Sequence, residues 1–483
     1  PLTIQNWRPD LIPVKQGVIT STGGKIIFGD NVSFLNNYSS GEATKGGGAI
    51  YSNKGVTFGE NAKLISNQAA VVIGPWSQSN GGGAIFVDGD ADSAVIFGKN
   101  ALVEKNEAVR GGAIDASGSV TFGESAIIRE NSAITDGGAI RVHGILTLNQ
   151  NTLVESNKVA AEKATGGAFY IEGTANISGT TLKNNTAANG GSGGAFYLKD
   201  GFLNLSDETV VEGNEASKGG AVYANSSTIN INHTTLKNNT ANGNGGALYV
   251  TSGSITTQSE SGKLATTSTV FQNNTASSYG GAIYAQLSDV HLGSGTRFEE
   301  NQAGSLGGAI TVVQGSLSMT DTAFINNSSS QKGGAIYLQT GNLDFNVTKT
   351  SPTPAISGNT SGAGGFLYLL SASSANFNIA QGQQLQIGDV NYFGTDNNRD
   401  SLYISSDSAI KKTGGGEMKI NSSMSSIWGT VSVEEGILSV AQHWNIRNAV
   451  SVTGGTLDSS SFSFVGDNAS LTINGGTLLT DTS

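Results

Sequence analysis

Short runs of alternating apolar and polar residues dominate the chain, broken every few positions by Gly, Asn, Ser or Asp. "VTF" ending at Phe58 and again at Phe122, "LTL" ending at Leu148, "LNL" ending at Leu205 and "INI" ending at Ile231 share this two-residue period. No segment sustains a 3.6-residue period, so the pattern predicts short β-strands with one buried face and no amphipathic helices.

These strands belong to a repeat. Gly-Gly-Ala followed by an apolar residue begins at Gly47, Gly82, Gly111, Gly137, Gly166, Gly193, Gly219, Gly245, Gly280, Gly307 and Gly333, with a degenerate copy at Gly364. An apolar-x-x-Asn unit precedes each copy. The pairs are Phe34/Asn37, Leu64/Asn67, Val103/Asn106, Ile128/Asn131, Val154/Asn157, Leu182/Asn185, Val211/Asn214, Leu236/Asn239, Phe271/Asn274, Phe298/Asn301, Phe324/Asn327 and Ile356/Asn359. Two residues after every one of these Asn stands Ala, Ser or Val. Head-to-tail units of this kind predict an all-β fold, a right-handed parallel β-helix (solenoid) with three short strands per coil of about 26 residues. Residues 1–27, with Pro9 and Pro13, read as an N-terminal cap and residues 28–370 as the repeat. Residues 371–483, with "IKKTGGGEMKI" and "GTVSVEEGILSV", read as irregular C-terminal coils.

Stacking explains the motif. Equivalent residues lie roughly 4.8 Å apart in adjacent coils, so a column of Asn can form an amide ladder. Asn also tolerates the left-handed conformation of a sharp corner, and paired Gly suits a second corner where φ is positive or backbones crowd. The apolar residue heading each Asn unit fills the interior.

The residue two after Gly-Gly-Ala is expected to face water, since Asp115, Arg141 and Thr311 occupy it. Most copies nevertheless carry an aromatic there, including Tyr170, Tyr197, Tyr223 and Tyr249, and eight of the 12 tyrosines share this column. The column is either a self-stacking spine or an aromatic strip that grips a partner. Insertions mark binding loops: "QAAVVIGPWSQSNG", "TTQSESGKLATTST" and "NVTKTSPTPAISG". Trp76 in the first is either a receptor contact or a lid over the coil.

Composition narrows the chemistry. A net charge of −11 and only 13% charged residues give no basic footprint, so nucleic acid is not a predicted partner. The absence of Cys excludes disulfides and thiolate metal sites. The chain opens at Pro1 without Met or a signal peptide, which reads as a processed piece of something longer. Scattered acidic residues do not form the convergent pair that glycoside chemistry needs. His143, His233, His291 and His443 are far apart in sequence, and "GGSGG" at Gly190 lacks a strand-turn-helix context. Asp88, Asp90 and Asp92 alternate as in the opening of many calcium loops, but Ser93 and Lys99 stand where an EF-hand needs Gly and Glu. That leaves a weak surface calcium site or a solvated turn. No catalytic residue and no cofactor are predicted.

The alternating Phe-x-x-Asn and Gly-Gly-Ala-Ile tetrapeptides resemble those of the chlamydial polymorphic membrane proteins, a family of autotransporters. The resemblance runs from about Phe34 to Leu367. Both motifs match in full at Phe34, Asn37, Gly47, Gly48, Ala49 and Ile50; at Phe271, Asn274, Gly280, Gly281, Ala282 and Ile283; at Phe298, Asn301, Gly307, Gly308, Ala309 and Ile310; and at Phe324, Asn327, Gly333, Gly334, Ala335 and Ile336. The resemblance implies a passenger on the bacterial outer surface, normally followed by its own C-terminal translocating β-barrel. It also implies adhesion to host cells, with which the two tetrapeptides are associated. Elsewhere Phe becomes Leu, Ile or Val, swaps that preserve a core role better than a contact role. The predicted function is therefore a non-catalytic adhesin whose partners are a host-cell surface receptor, protein or glycan, and further copies of itself. The alternatives are a structural coat or antigenic decoy, and a polysaccharide-active enzyme.

Overall fold

A computed structural model describes residues 2–6, 17–39, 46–69, 81–258, 268–348, 354–389, 399–422, 425–441, 444–459, 462–464 and 469–480. Among them there is no helix, and the strands pair in parallel with the equivalent strands of the preceding and following coils. This is a parallel β-helix. The chain divides into two compact units, Pro1–Asn242 with Ala247–Tyr249, and Gly243–Gly246 with Val250–Ser483.

In the first unit each coil contributes to three sheets. The apolar-x-x-Asn strands form one, with Phe34, Leu64, Val103, Ile128, Val154, Leu182, Val211 and Leu236 in a single register column. Every one of these side chains is fully buried, and each contributes about 1.5–3 kcal/mol by leaving water. Strands of two to seven residues just after the Asn form a second, narrow sheet, a ladder additional to the three strands expected per coil. Its small residues Ala133, Val159, Ala187 and Ala216 pack into a thin core of their own. The Gly-Gly-Ala strand and the following "VTF"-type strand share the third sheet, where Phe58, Phe97 and Phe122 stack with ring centroids 4.8 and 4.5 Å apart.

The described part of residues 1–27 forms strands of its own. Leu2–Gln5 pairs with Val32–Leu35, Ile19–Ser21 with Ile50–Ser52, and Ile26–Phe28 with Val56–Phe58, so this segment supplies strands to the same ladders as the repeats.

The second unit repeats the arrangement. Phe271, Phe298 and Phe324 stack at 4.7 and 5.1 Å, and the two strands of the third sheet merge into the long strands Ile310–Thr320 and Ile336–Val347. Beyond residue 400 the coils shorten to about 20 residues but keep their registers, as Glu417–Ile420 pairs with Ile437–Val440 and that with Thr456–Ser459.

Candidate functional surface

The motif residues are internal. Phe34, Asn37, Phe271, Asn274, Phe298, Asn301, Phe324 and Asn327 are all buried, as are the Ala and Ile of the matching Gly-Gly-Ala-Ile units. In the first unit Asn67 Oδ1 accepts from both the backbone N–H and the Nδ2 of Asn37, at 3.1 and 2.9 Å. Asn67 Nδ2 in turn donates to Asn106 Oδ1 and to the carbonyl of Phe34 in the preceding coil, both at 3.0 Å. The same pattern runs through Asn131, Asn157, Asn185 and Asn214. The motif thus couples its two conserved-spacing positions across coils: the Asn of one coil satisfies the carbonyl of the apolar residue heading the previous unit. In the second unit the ladder runs Asn274, Asn301, Asn327, Asn359 and ends on a carboxylate, as Asn359 Nδ2 donates to Asp400 Oδ1 at 2.8 Å.

One expectation is corrected here. The left-handed residue at this corner is not the ladder Asn but the one before it: Asn36, Ser66, Lys105, Glu130, Ser156, Asn184 and Asn238 in the first unit, and Asn273, Glu300 and Asn326 in the second. Their φ values lie between 53 and 57°. The tight turn just before the ladder residue brings its N–H and amide in line with the next coil. Gly213 and Gly358 take the left-handed place in two copies.

The paired glycines have separate reasons. The first is left-handed in most copies, for example Gly111 at φ 51° and Gly280 at φ 65°. The second is excluded from carrying a side chain by contact alone. A Cβ on Gly112 would lie 2.0 Å from the carbonyl oxygen of Gly138, and one on Gly308 would lie 2.0 Å from that of Gly334.

The aromatic column also departs from expectation. Its members were expected to face water, yet Tyr51, Phe86, Tyr249, Asp115, Tyr284, Thr311, Tyr337 and Tyr368 are buried, and Tyr170, Tyr197 and Tyr223 are half-buried. The rings cover one another. Tyr170, Tyr197, Tyr223 and Tyr249 stack nearly parallel, with centroids 5.3, 5.1 and 4.9 Å apart. Before Gly219 and Gly307 the segment leading into the Gly-Gly runs alongside: Lys218 Nζ lies 5.6 Å from the Tyr249 ring centre, and Thr311 Oγ1 donates to Leu306 O at 2.9 Å. Stacked ring faces are already occupied, so what the column can offer a partner is its edges and hydroxyls. Burial pushes the hydroxyls of Tyr197, Tyr223 and Tyr284 above the usual range, and that of Tyr337 up to about 12.

A charged cluster interrupts the column in the first unit, and sequence reasoning missed it because its members lie a coil apart. Asp115 is 1% exposed and pairs with Arg141 Nη1 at 3.2 Å, while the Arg141 guanidinium sits 5.6 Å from the centre of the Tyr170 ring. Burial raises the Asp115 carboxyl against the opposing pull of Arg141. Glu172 accepts from Tyr170 OH at 2.8 Å, pairs with His143 Nδ1, and lies 3.5 Å from Lys199 Nζ. These groups pair with one another, with only the buried Arg141 Nε lacking a partner, and they form no carboxyl pair flanking a cleft.

The remaining predicted positions disperse. Asp90 accepts from Ser93 Oγ at 2.9 Å and pairs with Lys54 at 3.3 Å, so it turns toward a neighbouring coil rather than toward a shared cation with Asp88 and Asp92. Among the described residues no three His, Asp or Glu converge as metal ligands. His143 faces Glu172 and His291 Nδ1 faces Ser318 Oγ at 2.7 Å, in separate coils. Trp76 and His443 lie outside the described residues. Gly190 and Ser192 sit in the strand Thr186–Ser192, which is no nucleophile elbow.

The Chlamydia polymorphic membrane protein (Chlamydia_PMP) repeat matches this chain at residues 31–53, 233–251, 268–286 and 321–339. The probable autotransporter YfaL of Escherichia coli strain K12 is 31% identical over 147 residues, covering 27% of this chain and 11% of that protein. The alignment therefore spans about a tenth of the relative's length. No solved structure matches. With both tetrapeptides in register along its coils and the family repeat recurring at four places, the chain carries repeats of the Chlamydia polymorphic membrane protein kind.

Proposed function

We propose that this chain is the surface-exposed passenger of an autotransporter and that it works as a host-cell adhesin, by binding without turnover. The matches to the family repeat and the autotransporter relative support the surface location at the outer membrane. The burial of the Phe-x-x-Asn and Gly-Gly-Ala-Ile residues carries the mechanistic part. Buried residues build the scaffold, so receptor recognition belongs to other positions: the insertions and the solvent-facing edges of the coils. The requirement for the tetrapeptides is then a requirement for a folded coil. The partner is a protein or glycan of the host-cell surface, and a β-barrel from the same polypeptide anchors the passenger.

Beads coated with the folded chain should attach to epithelial cells in a saturable manner, and soluble chain should compete. Replacing residues 71–79 by a short Gly-Ser linker should reduce attachment while leaving the circular-dichroism spectrum unchanged. Failure of folded protein to attach would favour a surface coat or decoy. Turnover of a glycan that is lost on replacing one or two carboxylates would favour an enzyme.

A further inference from the structure

The outer face of the apolar-x-x-Asn sheet in the first unit carries two rows. One is charged, and in register it reads Glu104, Arg129, Glu155, Lys183, Glu212, Lys237. The sign alternates at every coil. Arg129 lies 3.3 Å from Glu104 and 4.0 Å from Glu155, Lys183 lies 3.1 Å from Glu155, and Lys237 lies 3.3 Å from Glu212. The cations remain 35–37% exposed. The second row, two residues earlier on the same strands, is apolar or Thr: Leu102, Ile127, Leu153, Thr181, Val210 and Thr235, all half-buried.

We propose that this face docks a second copy of the chain, antiparallel, about a two-fold axis that lies between the two faces along the strand direction, level with the gap between Glu155 and Lys183. Six alternating charges are complementary to their own reversal. In this arrangement Glu104 meets the partner copy at the level of Lys237, Arg129 at Glu212 and Glu155 at Lys183, so every level pairs opposite signs. The axis direction also keeps charged row over charged row and apolar row over apolar row, with Ile127 level with Val210 and Leu153 with Thr181. A two-fold axis along the coil axis would instead reverse the strands, lay the charged row on the apolar one, and leave each coil facing its own level. Only the antiparallel arrangement satisfies both rows, which is how charge patterns select orientation.

Six coils at roughly 4.8 Å by a strand width of three or four residues give a face of roughly 25–30 Å by 10–13 Å. That lies well below the roughly 800 Å² per partner of a standard stable interface, so the pairing is weak, reversible and salt-sensitive. Such pairing gains strength where many copies are held close together.

The chain has no Cys, so engineered thiols report cleanly. Leu102→Cys and Thr235→Cys variants of the whole chain would be treated with a bis-maleimide spanning ~10 Å, the face-to-face spacing of packed sheets. Within one molecule the two sites are five coils, roughly 24 Å, apart. The mixture should cross-link and each variant alone should not, with yield falling at least about tenfold between 50 and 500 mM salt. Cross-linking of Leu102→Cys alone, or none in the mixture, would overturn the antiparallel pairing. A second arm inverts the row (Glu104→Arg, Arg129→Glu, Glu155→Lys, Lys183→Glu, Glu212→Lys, Lys237→Glu), which preserves its internal alternation. Inverted Leu102→Cys should cross-link with inverted Thr235→Cys but not with Thr235→Cys of native charge. Equal cross-linking in both would refute selection by the charged row. Should the inverted chain not fold, the cysteine mixture still decides.

Discussion

Truncating one rung of the buried amide ladder tests whether the Asn of the repeat is structural. In Asn301→Ala the lost side chain held four hydrogen bonds. Its Oδ1 accepted from Asn274 N and Asn274 Nδ2, both at 3.0 Å, and its Nδ2 donated to Asn327 Oδ1 and Phe271 O, both at 2.9 Å. Asn327 Oδ1 keeps a second donor, the backbone N–H of residue 301 at 3.1 Å. Three buried groups are therefore deprived of this partner: one backbone N–H, one amide N–H and one carbonyl. At about 1–3 kcal/mol for each buried group that loses this partner, and allowing for water entering the space, the expected loss is about 3–6 kcal/mol. Coils interact only with their neighbours, so the loss should be concentrated locally. Amide hydrogen exchange is the assay: residues 271–276 and 298–303 should exchange at least about a hundredfold faster, and coils several repeats away much less. Asn230→Ala is the control, because Asn230 sits in a half-buried outer amide row and donates to Asn204 Oδ1 at 2.8 Å. It should cost less than about 1 kcal/mol. Unchanged protection in Asn301→Ala together with lost cell attachment would refute the scaffold argument and return the motif to receptor contact.

Other expectations follow from the same geometry. Gly308→Ala should prevent local coil closure, since its Cβ would sit 2.0 Å from a backbone carbonyl oxygen; limited proteolysis should cut near residue 308 in the variant and not in the native chain. Alkaline titration followed at the tyrosinate absorbance should show a class of tyrosines ionising well above pH 10, with Tyr337 near 12. Because these folded hydroxyls hold their protons more tightly than unfolded ones, stability is full below pH 10 and falls between pH 10 and 12. Lys412 is a buried cation whose Nζ donates to the carbonyls of Thr413 and Gly414 at 2.7 Å and of Glu435 at 3.2 Å. Burial lowers its pKa to about 8, so the unfolded chain binds more protons between pH 8 and the ordinary lysine value. Stability should rise with pH across that window in the native chain relative to Lys412→Met, read as the difference in denaturation midpoint. Asp400→Asn should loosen the end of the second ladder, because an amide N–H would face the Gly358 N–H that Asp400 Oδ2 now accepts at 2.7 Å, visible as faster exchange at Gly358 and Asn359.

Much of this protein was readable one-dimensionally because a solenoid repeats its constraints along the chain. The spacing of Phe34 to Asn37 and of Gly47 to Ile50, returning every 26 residues or so, determined the coil, the buried side of each strand, the amide ladder and both uses of glycine. What the tertiary structure decided are the relations between residues one coil apart. The left-handed corner fell on Asn36 and Lys105 rather than on Asn37 and Asn106, because the ladder residue must aim its amide at the next coil. The tyrosines looked exposed by alternation, and stacking buried them, since each ring is covered by its counterpart one coil away. Asp115 with Arg141, Glu172 with His143, and the alternating row from Glu104 to Lys237 are each separated by 25 or more residues, where no local period reveals a charge partner. Periodicity specifies which side of a strand is inside; only the closed coil specifies what sits on the level above and below.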